Sequence, residues 1–172
     1  MVLSLVLGAM ACGEKSGLGP SVPGDSESRF NFVLPDVTGE DVEVESQAGD
    51  VFALAFWATH CAPSRNLLLE FETLSKTMSA RGLSVYGISI DGPETVARVP
   101  AFLQGFDLSY PMLMDSDTSF YTKFNSSGDC PYYVIVDAQG NMVRSHQGHM
   151  KGDVDGALAN FLESYLPPEP SK

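Results

Sequence analysis

The run Val51–Trp57 (VFALAFW) constrains the fold more than any other stretch, because it holds no charge, hydroxyl, Gly or Pro. A strand with one wet face alternates apolar and polar residues. This one does not, so it reads as a strand buried on both faces, inside a sheet that must be covered on each side. The run gives way at once to Ala58-Thr59-His60-Cys61-Ala62-Pro63-Ser64. Proline suits the first turn of a helix. Beyond it Leu67, Phe71, Leu74 and Met78 recur at spacings of four, three and four, which is one apolar helical face. Arg81-Gly82 stops that helix.

The rest of the chain continues the alternation. Phe30 to Val44 gives two short extended pieces around the turn Thr38-Gly39-Glu40-Asp41. Leu83 to Ile90 is a second strand, and Asp91-Gly92-Pro93 leads into a helix that Pro100 should kink or split. Tyr110 to Met114 is a short strand, and Asp117 is placed to cap a short helix through Phe124. Tyr132–Asp137 and Met142–His146 read as a hairpin joined at Ala138-Gln139-Gly140-Asn141. Asp153 opens a last helix to Leu166, ended by Pro167-Pro168. The expected fold class is α/β: a central mixed β-sheet flanked by helices on both faces, with an N-terminal β-hairpin extension.

At 172 residues there is room for one cored domain and some chain outside it. Ten Lys and Arg against 22 Asp and Glu give a formal charge of −12. That excludes nucleic acid, or an anionic membrane, held through a basic patch. Val2 to Ala11 is apolar and uncharged but too short to span a bilayer, which fits the core of a signal peptide. It ends Ala9-Met10-Ala11-Cys12 and so resembles a bacterial lipobox, in which Cys12 is lipidated and becomes the first mature residue. An ordinary secreted leader, or a simple buried cysteine, is the alternative. Residues 13–29 are rich in Gly, Ser and Pro and read as a tether. The expected order is therefore signal peptide 1–11, lipidated tether 12–29, domain 30–166 and tail 167–172. That places the domain on the periplasmic side of a bacterial envelope membrane, as a monomer. With Cys12 consumed, Cys61 and Cys130 remain.

From Phe30 to Leu166 the chain resembles the TlpA/ResA-like branch of the thioredoxin superfamily. The resemblance rests on Leu34-Pro35-Asp36 with Gly39, on Phe56-Trp57-Ala58-Thr59 before Cys61, and on Ala62-Pro63 after it. Ile88-Ser89-Ile90-Asp91, Cys130-Pro131 and Asp137 to Gly140 follow in the family order. It implies a thioredoxin-like fold, thiol–disulfide exchange with protein partners and no cofactor. It also implies that Pro131 is a cis-proline facing Cys61. Three positions depart from the family. His60 stands where tryptophan is usual, Ser64 replaces the second cysteine of Cys-x-x-Cys, and Leu67 replaces a glutamate that assists proton transfer. The chain also lacks the Pro-x-x-x-Thr-x-x-Cys pattern of peroxide-reducing relatives, since Leu54 and Ala58 fill those places.

A dithiol attacks a disulfide with one sulfur and releases the product with the other. Cys61 lies where a strand becomes a helix, a setting that favours thiolate, and Ser64 is placed to donate a hydrogen bond to it but cannot resolve a mixed disulfide. The resemblance puts Cys130, just before the cis-proline, against Cys61. If their Cα atoms fall within roughly 4.4–6.8 Å the two can bond. Closing that loop of ~70 residues would restrain the unfolded chain by about 4 kcal/mol. The plain alternative for Cys130 is a small residue filling a strand edge. Trp57, His60, Pro63, Pro131 and His149 are the expected substrate-binding rim. A second chemistry stays open: Cys61, Cys130, His60 and His149 make a soft ligand set suited to Cu(I) or Zn(II). A third is a redox-inactive binding domain.

Overall fold

The computed structural model describes residues 31–45, 50–137, 139–149 and 152–168. The leader, Cys12, the tether and the end of the tail lie outside the described residues. A hairpin comes first, β1 (Asn31–Pro35) paired antiparallel with β2 (Asp41–Glu45). Asp36 fixes its turn by accepting hydrogen bonds from the Thr38 and Glu40 N–H groups, and Gly39 takes a φ of 89°. The main sheet then runs β3 (Val51–Trp57), β4 (Leu83–Ser89), β5 (Met112–Met114), β6 (Tyr132–Val136) and β7 (Met142–Gln147). Its spatial order is β5-β4-β3-β6-β7, with β4 parallel to β3 and β5, and β6 antiparallel to β3 and β7. This is the expected mixed sheet with an N-terminal hairpin.

Strand β3 lies in the middle and is buried along its whole length. Its alternate residues feed different cores. Val51, Ala53, Ala55 and Trp57 pack with helix α1 (Ser64–Met78), α2 (Val99–Leu103) and α3 (Ala159–Leu162). Phe52, Leu54 and Phe56 pack instead with Phe32, Leu34 and Val44 of the hairpin and with Phe120 and Tyr121. The helical cover of that second face is the 3₁₀ turn Tyr121–Lys123. Among the described residues no helix is long and apolar enough to cross a membrane.

Helix α1 keeps the apolar face expected of it, with Leu67, Phe71, Leu74 and Met78 buried. Gly82 follows at a φ of 91°. Three local expectations are revised. A 3₁₀ turn, Val96–Arg98, leads into α2 with Pro100 in its first turn, where a missing N–H costs nothing. Asp117 accepts the Ser119 N–H, and the residue that holds the following turn is buried Asp115, which accepts from the Phe120 and Tyr121 N–H groups. The last helix does not run through from Asp153: it opens with a π-helical stretch, Asp153–Leu158, that contains the poor helix former Gly156.

Candidate active site

The strand register brings the two cysteines together. Phe56 of β3 pairs with Tyr132 of β6, and because those strands run antiparallel, the end of one and the start of the other share an edge of the sheet. Cys61 lies five residues beyond Phe56 and Cys130 two residues before Tyr132. Cys61 lies near enough to Cys130 to raise the titration of its thiol. Both thiols are free, Cys61 buried and Cys130 half-buried. The Cys130–Pro131 peptide bond is cis.

Cys61 is carried on a tight turn. Its N–H donates to the Ala58 carbonyl at 3.1 Å, and its carbonyl accepts the Ser64 N–H at 3.0 Å. Buried Ser64 accepts the Ala58 N–H on its Oγ at 3.4 Å, and no hydrogen bond joins that hydroxyl to Cys61 among the described residues. Ser64 thus supports the turn as an acceptor. Beneath the turn lies Asp91, with no solvent exposure. It accepts the Thr59 N–H at 2.8 Å, the Thr59 hydroxyl at 2.5 Å and the Ser89 hydroxyl at 3.0 Å. Burial works against its ionisation, but the Thr59 and Ser89 hydrogen bonds outweigh burial and hold the carboxyl below its usual range. His60 projects from the turn with its side chain 60% exposed, its Nδ1 3.9 Å from Asp91 Oδ1.

Cys130 sits on a different support. Tyr121 donates its hydroxyl to the Asp129 carbonyl and accepts from Asn125 Nδ2 at 2.7 Å, while Gln147 Nε2 donates to Asp129 Oδ2 at 2.6 Å. Burial pushes the Cys130 thiol up to about 12, and the hydrogen bond and charge of Cys61 add to that, followed by the charges of Asp91 and Asp129. Burial likewise pushes Tyr121 up to about 12, despite its hydrogen bond from Asn125. Cys130 thus keeps its proton at neutral pH.

The expected rim is partly redrawn. Pro63 and His60 are exposed beside Cys61, and Pro131 is buried behind Cys130 with its carbonyl taking the Gly148 N–H at 2.8 Å. Trp57 is not on the rim. It is fully buried and stacks on Phe102 at 5.1 Å, with its Nε1 lacking a hydrogen-bond partner. His149 is not there either: its side chain is 0% exposed, with Nε2 3.2 Å from Glu70 Oε1 but off the line of a hydrogen bond, and Nδ1 unpartnered. Glu70 also accepts the Gly152 N–H at 2.9 Å, so this buried carboxylate draws the loop inward. The soft-metal set accordingly does not converge: among the described residues no group of three or more His, Cys, Asp and Glu side chains is placed to hold a metal ion.

Asp91 and Glu70 are the residues that sequence reasoning passed over as site builders. Each left a signal. Glu70 lies three residues after Leu67 and four before Leu74, on the buried stripe of a helix, and Asp91 directly follows a buried strand.

A cysteine at a strand–helix junction, facing a cis-proline across the central pair of a β5-β4-β3-β6-β7 sheet, defines a thioredoxin-like redoxin domain. The chain belongs to the AhpC/TSA family, which it matches over residues 27–145. It is 28% identical over 164 residues to the thiol-disulfide oxidoreductase ResA of Bacillus cereus, covering 95% of this chain and 87% of that one. With ResA of Halalkalibacterium halodurans the identity is 27% over 141 residues, covering 82% and 77%. In fold it is similar to the crystal structure of a putative thiol:disulfide interchange protein DsbE from Chlorobium tepidum. There the TM-score is 0.68 at 21% identity, over 82% of this chain and 98% of the other.

Proposed function

We propose that this chain is a thiol–disulfide oxidoreductase whose redox couple is Cys61 and Cys130, with the second sulfur supplied by the cis-proline loop instead of the helix. The strand register that brings Cys61 and Cys130 to one end of the β3–β6 pair, with Cys130 just before a cis-proline, is the observation that carries the reading. The ResA relatives support the reaction class.

The reaction balances with these residues alone. The Cys61 thiolate attacks a partner disulfide, forming a mixed disulfide and expelling one partner thiolate, which takes up a proton. The Cys130 sulfur then attacks Cys61 Sγ, yielding its own proton. A Cys61–Cys130 disulfide forms and the second partner thiolate leaves and is protonated. Two electrons pass to the partner, and the reverse sequence oxidises a partner dithiol. Pro131 and exposed Pro63 and His60 frame the approach of the partner chain.

Intact mass measurement after diamide oxidation tests the couple. The reading expects a loss of about 2 Da that dithiothreitol reverses and that vanishes in Cys61→Ser and in Cys130→Ser. Two free thiols persisting in the oxidised wild-type chain would sink it.

The apolar leader ending at Cys12 supports an extracytoplasmic site on a lipid anchor. Expressed from its full sequence in a bacterium, the wild-type chain should sediment with membranes and Cys12→Ser should be soluble. Equal sedimentation of the two would remove the anchor from the proposal.

A further inference from the structure

Arg65 is exposed in the first turn of α1, four residues after Cys61. Ten Lys and Arg face 22 Asp and Glu in this chain, so an arginine has acids in excess to pair with. Arg81 shows such a pair completed: its Nη1 and Nη2 donate to the two carboxylate oxygens of Glu163 at 2.7 and 2.8 Å. Arg65 does otherwise. Among the described residues its guanidinium has no ion pair and no hydrogen bond.

What holds it is aromatic. Its Cζ lies 4.5 Å from the centre of the Phe106 ring and 5.8 Å from that of Phe102. Those rings stand 5.2 Å apart, and Phe102 stacks in turn on buried Trp57 at the end of β3. Gly105 leaves room beside the cation, since a Cβ there would already stand 3.4 Å from Nη2. A guanidinium laid on aromatic faces keeps its edge N–H groups free and has lost much of its rotamer freedom beforehand. That is an open fork, fixed in place beside the turn that carries Cys61.

Resting on the reading of Cys61 as the attacking thiol, we propose that Arg65 is a specificity residue, whose stacked guanidinium binds a carboxylate that the partner polypeptide carries close to its reactive cysteine. The carboxylate accepts two parallel N–H bonds, as Glu163 does from Arg81. Four residues of chain span at most about 14 Å, which puts the carboxylate within about four residues of that cysteine in an extended partner segment. Arg65 meets the substrate away from the reacting sulfurs, so it selects which disulfide is attacked. Elsewhere a chain of net charge −12 repels acidic segments, which makes this a local address.

Rates with activated peptides test this. Reduced full-length protein is mixed with amidated peptides whose central cysteine is a 2-thiopyridyl disulfide. Attack by Cys61 forms the mixed disulfide and releases pyridine-2-thione, read by absorbance. Glu is moved through the four positions on either side of the cysteine, with Gln as the neutral reference at each. At low salt one Glu position should react about fivefold faster than its reference, the upper end for an exposed ion pair. About 0.5 M NaCl should remove that gain. The gain is a ratio on one protein, so a general change in Cys61 reactivity cancels. Arg65→Gln should abolish it, and Arg65→Lys should keep less than half, because an ammonium offers no fork. Phe106→Leu, which keeps the charge and removes the ring, should lower it too. Shortened peptides ending in a free carboxylate at the preferred place tell a chain end from a side chain, and a gain from either supports the site. A flat scan in the wild-type chain, a gain that survives Arg65→Gln, or a full gain in Arg65→Lys would overturn the proposal. If no peptide reacts, the reading of Cys61 fails and the proposal with it. If the Gln peptides react and Glu adds nothing, only the role of Arg65 fails.

Discussion

The two cysteines belong to loops built by opposite means. The Cys61 turn is tied from below, by the Thr59 bonds to buried Asp91 and by the Ala58 bond to buried Ser64. The Cys130 loop is tied from the side, through Tyr121 and Gln147 to Asp129, and residues 126–129 are exposed. The first arrangement fixes a nucleophile against a charge. The second leaves its sulfur half-covered, next to a proline whose carbonyl is already taken by Gly148. The proposed redox couple is thus divided between a turn tied to a buried carboxylate and a loop whose neighbouring residues are exposed.

The sharpest break in that contrast comes from the sulfurs. Cys61→Ser should cut thiol release from 5,5′-dithiobis(2-nitrobenzoate) by at least about 100-fold, because the thiolate is the nucleophile. Cys130→Ser should leave the first step nearly intact and halt there, so intact mass should show a persistent mixed disulfide with the probe. If Cys130→Ser loses the first step as fully as Cys61→Ser, the division of labour is wrong.

Stability separates the supports next. Thr59→Val leaves a buried carboxylate short of partners and should cost about 2 kcal/mol in urea unfolding, since hydrogen bonds to charged groups are worth about 1.5–3 kcal/mol. Tyr121→Phe removes two neutral, part-buried bonds, one to the Asp129 carbonyl and one from Asn125, and should cost about 1 kcal/mol. Equal losses would erase the difference between the two loops.

The smallest effect is in the pH dependence. Cys130 titrates higher in the folded chain, at about 12, than its ordinary 9.0. A thiol that holds its proton longer when folded contributes stability that is full below the unfolded value and is lost as pH rises toward the folded one. The urea midpoint of the reduced protein should therefore fall as pH rises above about 9, and fall less steeply in Cys130→Ser.

Much of this was open to reading in the sequence, for physical reasons. The uninterrupted run of β3 announced its double burial, and the spacing of Leu67, Phe71, Leu74 and Met78 announced the face of α1. The same property hid Trp57. In a strand with both faces buried, alternation cannot say that a residue at its end points to rim or core, and here it points to Phe102. His149 was misplaced because its partner, Glu70, is 79 positions away on a helix, and periodicity marks Glu70 as inward without saying what it meets. Ser64 reads as a hydrogen-bond donor to the thiol, and the structure adds an acceptor role toward the Ala58 N–H of its own turn. Local pattern carried the elements, while the polar contacts between distant segments needed the fold.

The pairing of Phe56 with Tyr132 has one more consequence. In a Cys-x-x-Cys helix the two sulfurs are neighbours in the chain whether or not the protein is folded. Here they are neighbours only when β3 and β6 have zipped together, so the proposed couple would not exist in the unfolded polypeptide. On that proposal, any event that frays this end of the sheet would weaken the oxidised form, and oxidation would in turn clamp the sheet. The reduction potential of the proposed couple and the local stability of the central strand pair would become one thermodynamic quantity, and a mutation deep in either strand would register as a shift in millivolts.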